Sequence, residues 1–137
     1  MNADIPPEIS LTQKSVQPTG IHGQWRIVWS LNNQGKRQLR INSVRMPHGQ
    51  FKADEQRFEP PITLESGASE EFESAVRCDE PAGLVTENAF VILYADWLNG
   101  VWRIYARIRV TVNADALPET ITESITYQKA GFSGLDQ

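Results

Sequence analysis

The chain has little cysteine and no long hydrophobic segment. Cys78 is the single cysteine among 137 residues, which excludes an intramolecular disulfide. No apolar run approaches the roughly 20 residues that a membrane-spanning helix needs. The first residues have neither the basic start nor the apolar stretch of a secretory signal. We therefore expect a cytoplasmic protein that has no membrane partner.

Positive charge is also scarce. The sequence has 13 lysines and arginines against 17 aspartates and glutamates, a net charge of −4 with a pI near 5.2. A nucleic-acid-binding domain usually carries a basic excess, so nucleic acid is disfavoured as a partner. The hydrophobic share of 40% and the charged share of 22% are typical of one folded globular domain.

What the sequence does have is alternation of apolar and polar side chains, the pattern of half-buried β-strands. Residues 24–31 follow this pattern, and Leu39 and Ile41 continue it. Val44 and Met46 then fall one position out of phase. Because one extra residue moves every later side chain to the other face, this slip predicts a β-bulge between Ile41 and Val44.

The strongest local signal is a hairpin over residues 89–110. Asn99-Gly100 lies between two β-rich runs, and both residues tolerate the positive φ of a type I′ turn. A turn at these two residues predicts that Trp97 lies opposite Trp102. One face of the hairpin is then wholly apolar and is expected in the core: Ala89, Val91, Leu93, Ala95, Trp97, Trp102, Ile104, Ala106, Ile108 and Val110.

Short strands separated by Gly, Pro and Asn turns, without an amphipathic helix, predict an all-β sandwich or barrel. Residues 1–8 are interpreted as a leader and residues 9–113 as the folded domain. Residues 114–137 are interpreted as a C-terminal tail, with a weak alternation around Ile121 and Ile125.

Several features follow one another in a characteristic order. They are the stretch Trp-Ser-Leu-Asn-Asn-Gln-Gly at 29–35, Leu39 with Ile41, the stretch Ile-Thr-Leu-Glu-Ser-Gly-Ala-Ser at 62–69 with Phe72, and the closing hairpin. In this order they resemble bacterial immunoglobulin-like or fibronectin-III-like domains of the cell-adhesion-related type. The resemblance implies an immunoglobulin-like antiparallel β-sandwich of about seven strands and a binding role, but no particular site. Those families are mostly extracytoplasmic, and the Cys…Trp…Cys spacing of antibody domains is absent here.

The other face of the hairpin is the candidate site. An ordinary solvent face would not carry so many aromatic and arginine side chains, which are enriched at protein-binding surfaces. The candidate residues are Phe90, Ile92, Tyr94, Arg103, Tyr105, Arg107 and Arg109, extended by Arg40 of the neighbouring strand. We expect a non-enzymatic module that binds a protein partner or itself, possible as a homodimer, and uses no cofactor.

Two alternatives stay open at this point. In the first, the C-terminal tail folds over the candidate face. Ile125, Tyr127 and Phe132 would then supply apolar contacts, and Glu119 and Glu123 counter-charges. In the second, the protein is an enzyme or small-ligand carrier with a loop-end pocket near His48 and nearby carboxylates. His22 is expected to be a solvated loop residue, Cys78 a small core residue, and the acidic cluster 70–80 a set of strand-edge charges that block aggregation.

Overall fold

The computed structural model describes residues 5–98 and 100–132. All regular structure in these residues is β-strand, and all strand pairs are antiparallel. The strands are β1 Ile9–Pro18, β2 Gln24–Asn33, β3 Leu39–His48, β4 Phe51–Leu64, β5 Ser69–Arg77, β6 Val85–Trp97, β7 Gly100–Val112 and β8 Pro118–Phe132. They form one sheet in the order β1-β2-β5-β4-β3-β6-β7-β8.

This architecture confirms the all-β prediction and corrects its details. Eight strands form a single, nearly closed, barrel-like sheet, whereas the sequence predicted a sandwich of about seven strands followed by a tail. The segment interpreted as a tail contains β8, which pairs with β7 from Val112 to Gly100. The interpretations of residues 1–4 and 133–137 lie outside the described part of the chain.

The ends of the sheet meet where β1 lies beside β8. Side chains join the two strands: the Ile9 amide donates to the Tyr127 hydroxyl at 3.0 Å, and the Thr122 hydroxyl donates to the Leu11 carbonyl at 2.8 Å. The Gln13 side-chain amide bonds to the backbone of β8 through both its nitrogen and its oxygen. These polar contacts close the sheet without a regular backbone ladder, and we call this junction the β1–β8 seam.

The predicted bulge is confirmed. The register of β3 against both of its neighbours shifts between Ile41 and Ser43. Ile41 and Val44 are both buried, because the extra residue returns the strand to the phase in which its apolar side chains face the core.

The register of the β6–β7 hairpin differs from the prediction by two residues. Trp97 pairs with Gly100, and Ala95 pairs with Trp102. The turn begins at Leu98, which adopts a positive φ of 56°, while Asn99 is outside the described residues. In this register Trp97 lies opposite Gly100, which has no side chain. Because side chains alternate with a period of two, a slip of two residues leaves every side chain on its predicted face, and all ten predicted core residues are buried.

The sheet is least complete between β4 and β5. Their one register pair in the described chain is Lys52 with Arg77. The core continues across this opening through aromatic contacts: Trp29 lies 6.5 Å from Phe72 and 6.3 Å from Phe51, between ring centroids, and Phe58 lies 5.4 Å from Phe72. The described residues contain no helix of the length and apolarity needed to span a membrane.

Candidate interaction surface

The candidate residues of β6, β7 and β3 lie together on the outer side of the sheet. On β6 and β7 the alternating positions opposite the core face carry Phe90, Ile92, Tyr94, Arg103, Tyr105, Arg107 and Arg109. Arg40 lies across from Asp96 on the neighbouring strand β3. We call the outer surface formed by these residues, together with Arg45 of β3, the arginine face.

The two-residue slip changes which side chains are neighbours on this face. The register places Tyr94 opposite Arg103 and Phe90 opposite Arg107. The Arg103 guanidinium carbon lies 5.7 Å from the centre of the Tyr94 ring, a cation–π contact. The Phe90 ring meets the Tyr105 ring edge to face at 6.3 Å between centroids. Aromatic rings and guanidinium groups therefore pack on one another along the face.

The apolar side chains of the arginine face are less open than the sequence suggested. Ile92 is only 5% exposed. Its register neighbours are Tyr105 on β7 and Arg45 on β3, and long arginine side chains cover apolar surface with their methylene groups. Phe90 and Tyr94 are half-buried. What the face offers to solvent is therefore guanidinium groups around partly covered aromatic rings.

Strand β8 supplies counter-charge at one end of the face. The Glu123 carboxylate forms ion pairs with Arg107 at 3.4 Å and with Arg109 at 2.9 Å, and its side chain is only 20% exposed. Arg109 also contacts Glu87 at 3.3 Å. Arg107 and Arg109 are thus largely neutralised within the chain.

The C-terminal segment, which one of the two alternatives placed over the face, lies beside it. β8 pairs edge to edge with β7, and Ile125 and Tyr127 pack against the hydrophobic core on the opposite side of the sheet. Glu119 accepts a hydrogen bond from Asn113, whereas Glu123 supplies the expected counter-charge. The side chain of Phe132 is outside the description. In the described residues, no strand lies over the arginine face.

Three arginines of the face have no carboxylate partner among the residues that the structure describes. Arg40, Arg45 and Arg103 form no ion pair within 4.0 Å in the described chain, although Asp96 is the register partner of Arg40. Arg40 and Arg45 are exposed, and Arg103 is half-buried. The sequence predicted Arg40 but missed Arg45. The β3 bulge was the available signal, because it brings two arginines at an odd spacing onto the same face.

The second alternative was a loop-end pocket near His48, and the structure does not bring carboxylates to His48 there. His48 ends β3, where its Nδ1 atom accepts a hydrogen bond from the Gln50 amide at 3.0 Å in a local turn. Four cavities among the described residues, one of them beside β3 and β4, lack His48 in their lining.

A different histidine lies at a cavity of about 410 Å³, at the end of the barrel formed by the β1–β2 turn and the residues after β5. His22 and Asp79 are 3.1 Å apart there, both largely exposed. Cys78 also lines the cavity. Burial raises the pKa of its thiol to about 11, with further contributions from the charges of Glu80 and Asp79. A thiol that stays protonated is a poor nucleophile, so this trio lacks an activated group.

The acidic cluster lies mainly along β5. Glu71 pairs with Lys14 at 2.9 Å and Glu73 with Arg26 at 3.2 Å, and all four side chains are about half exposed. Within residues 5–98 and 100–132, no group of three or more histidines, cysteines or carboxylates is arranged to hold a metal ion. These charges lie on a strand that is paired along only one of its two sides, as expected for edge charges.

The comparisons with known proteins give no family. No protein-family model matches the chain, and no curated protein matches it. The functional argument therefore depends on the surface itself: its geometry, its charges and the partners of each side chain.

Proposed function

We propose that the protein is a non-enzymatic interaction module whose arginine face binds an acidic surface of a partner protein. The observation that carries this proposal is that Arg40, Arg45 and Arg103 have no carboxylate partner among the described residues and lie next to half-buried aromatic rings, on a chain of net charge −4. Arginine and tyrosine are among the residues enriched at protein-binding hot spots.

The local charge supports a protein partner in preference to nucleic acid. Arg107 and Arg109 already share Glu123, and Asp96 lies among the remaining cations. Nucleic-acid affinity depends on many cations meeting phosphates, which leads to a steep dependence on salt. A small cluster of free guanidinium groups around aromatic rings is better matched to a few carboxylates that are held in place on a folded or peptide partner.

The test replaces the free arginines and measures affinity for an acidic probe. The probe is a peptide of alternating glutamate and tyrosine, with a short DNA duplex of similar charge as the second arm. We expect Arg40→Gln, Arg45→Gln and Arg103→Gln together to weaken peptide binding at least about tenfold, or 1.4 kcal/mol. These arginines have no ion pairs within the described chain, so the main loss of stability is the Arg103–Tyr94 contact, about 0.5–1 kcal/mol, and the melting temperature should fall by no more than roughly 5 °C.

A matched control uses two other exposed cations. Lys36 and Arg37 lie in the loop between β2 and β3 and also form no ion pair in the described part of the chain. Replacing both by glutamine changes the net charge but leaves the arginine face intact, so binding of the peptide should persist. The triple variant removes three positive charges and the control two, so the losses are compared per charge. If the control loses as much binding free energy per charge as the triple variant, only overall charge matters and the proposal fails. Tighter, steeply salt-dependent binding of the duplex would instead favour a nucleic-acid partner.

A further inference from the structure

A second surface, independent of the arginine face, lies where the sheet opens between β4 and β5. Strand β5 pairs with β2 along its whole length, from Ser69 to Arg77. On its other side, only Arg77 has a register partner, Lys52 of β4. Beyond that pair β4 still lies across a groove from β5, but no other residue on this side of β5 has a register partner in the described chain.

The hydrogen-bond pattern identifies which backbone groups of β5 point into the opening. Cys78 donates to Gly23 at 2.8 Å and Asn33 donates to Ala68 at 3.0 Å, at the two ends of the β2–β5 ladder. Bonded and non-bonded pairs alternate along an antiparallel ladder. Residues 70, 72, 74 and 76 therefore direct their amide and carbonyl groups towards β2. The groups of Ser69, Glu71, Glu73 and Ala75 point away from β2, and we call these four the open edge of β5.

A groove of about 340 Å³ lies at this opening, between Ala53 and Gln56 of β4 and Ser74 and Ala75 of β5. Ser74 is only 5% exposed, yet its hydroxyl has no hydrogen-bond partner among the described residues. An unpartnered buried hydroxyl is costly, and such groups are normally satisfied by a further ligand or by water. Both the backbone of the open edge and this side chain therefore offer hydrogen bonds that nothing in the described chain uses.

The charge of the open edge determines which kind of strand can pair with it. Between Ser69 and Ala75, β5 carries three glutamates and no cation. Glu71 and Glu73 form half-exposed ion pairs with Lys14 and Arg26, and Glu70 forms no ion pair in the described chain, so the edge keeps a net negative charge. Charged side chains on an open edge disfavour pairing with like-charged strands, and a second copy of this acidic chain is disfavoured in this way. A strand with lysine or arginine at alternate positions is favoured, because it meets the charge of Glu70 and competes for the two half-exposed pairs.

We propose that the open edge of β5 binds an extended, lysine- or arginine-rich segment of a partner protein as an added β-strand. The added backbone pairs with Glu71, Glu73 and Ala75, and its basic side chains meet the glutamates. This inference does not depend on the arginine face, which lies on other strands and carries the opposite charge.

The test uses a capped peptide of alternating lysine and valine, about seven residues long so that it spans the open edge at roughly 3.3 Å per residue. Hydrogen exchange of the wild-type chain gives the sharpest readout. Binding should slow exchange of the Glu71, Glu73 and Ala75 amides, and leave Phe72 and Ser74 unchanged because they already bond to β2. Protection of all amides alike, or no binding at concentrations up to about 1 mM, would overturn the proposal.

A pair of variants tests the same claim by affinity. Ala75→Pro removes an amide of the open edge without removing a bond to β2, and it should weaken peptide binding at least about tenfold. Ala75→Val keeps the amide and should bind like the wild type. A folded Ala75→Pro protein that binds normally would contradict the inference, as would equal binding of a peptide with glutamate in place of lysine. Should the proline variant not fold, the exchange pattern of the wild type decides alone.

Discussion

The Glu123 carboxylate offers a prediction in which stability and binding change in opposite directions. It lies between Arg107 and Arg109, at 3.4 and 2.9 Å, with a side chain that is only 20% exposed. Glu123→Gln removes the negative charge but keeps the size and one hydrogen-bond acceptor. Both arginines are then freed from their shared partner, and only Arg109 keeps another carboxylate, that of Glu87.

The expected loss of stability is modest. Each ion pair involves an arginine that is about 40% exposed, and partly exposed pairs contribute about 0.3–1 kcal/mol each. We therefore expect Glu123→Gln to lower the free energy of unfolding by about 1 kcal/mol, measured by urea denaturation. For a chain of this length the melting temperature should fall by roughly 3–5 °C.

The expected effect on binding is a gain. A freed guanidinium that meets a partner carboxylate at about 4 Å in water gains about 1 kcal/mol, or roughly fivefold in affinity. Titration with the acidic glutamate–tyrosine peptide measures this gain. Glu71→Gln is the control, because it makes the same charge change at the exposed Lys14 pair, outside the arginine face. If Glu123→Gln is destabilised and binds no better than the control, Arg107 and Arg109 serve the fold alone and the reasoning is refuted.

Two further predictions concern the seam and the buried thiol. Tyr127→Phe leaves the buried Ile9 amide without its acceptor, so the free energy of unfolding should fall by about 1 kcal/mol and exchange at that amide should accelerate; unchanged stability would show that the seam does not hold the sheet closed. The pKa of the Cys78 thiol is raised from 9.0 to about 11 in the fold. The unfolded chain therefore loses this proton first as pH rises, and about 2–3 kcal/mol of stability should disappear between pH 9 and pH 11. Burial also raises the pKa of Tyr127, so part of the loss of stability at high pH comes from that group. The control is Cys78→Ala, whose free energy of unfolding should decline less over the same pH range. If stability falls equally with pH in both proteins, the assignment to Cys78 is contradicted.

The sequence predicts the faces of the strands much better than their neighbours. Alternation with a period of two decides whether a side chain is buried, and it also located the bulge in β3. The hairpin register was wrong by two residues because a slip of that size leaves the alternation unchanged. The turn preference of Asn-Gly was the only other guide, and here Leu98 takes the positive φ.

Strand β8 was missed for a different reason. Its side chains include three threonines and one serine, and its sequence has no continuous apolar face. Thr122 bonds to the backbone of β1, and Tyr127 places its hydroxyl at the Ile9 amide. These roles depend on contacts about 110 residues apart in the sequence, which local patterning cannot indicate. Glu123 was expected as a counter-charge only in the alternative in which the tail covers the face, whereas it reaches Arg107 and Arg109 from the neighbouring strand because β8 pairs with β7.

The measurement that tests the arginine face most directly is a nitrogen-15 NMR titration of the chain with the acidic glutamate–tyrosine peptide. We expect the largest shifts at the side-chain Nε–H signals of Arg40, Arg45 and Arg103, and at the amides around Ile92 and Tyr105. Shifts concentrated on β5 or at the His22 cavity, with these arginine signals unmoved, would contradict the proposal that the arginine face binds the partner.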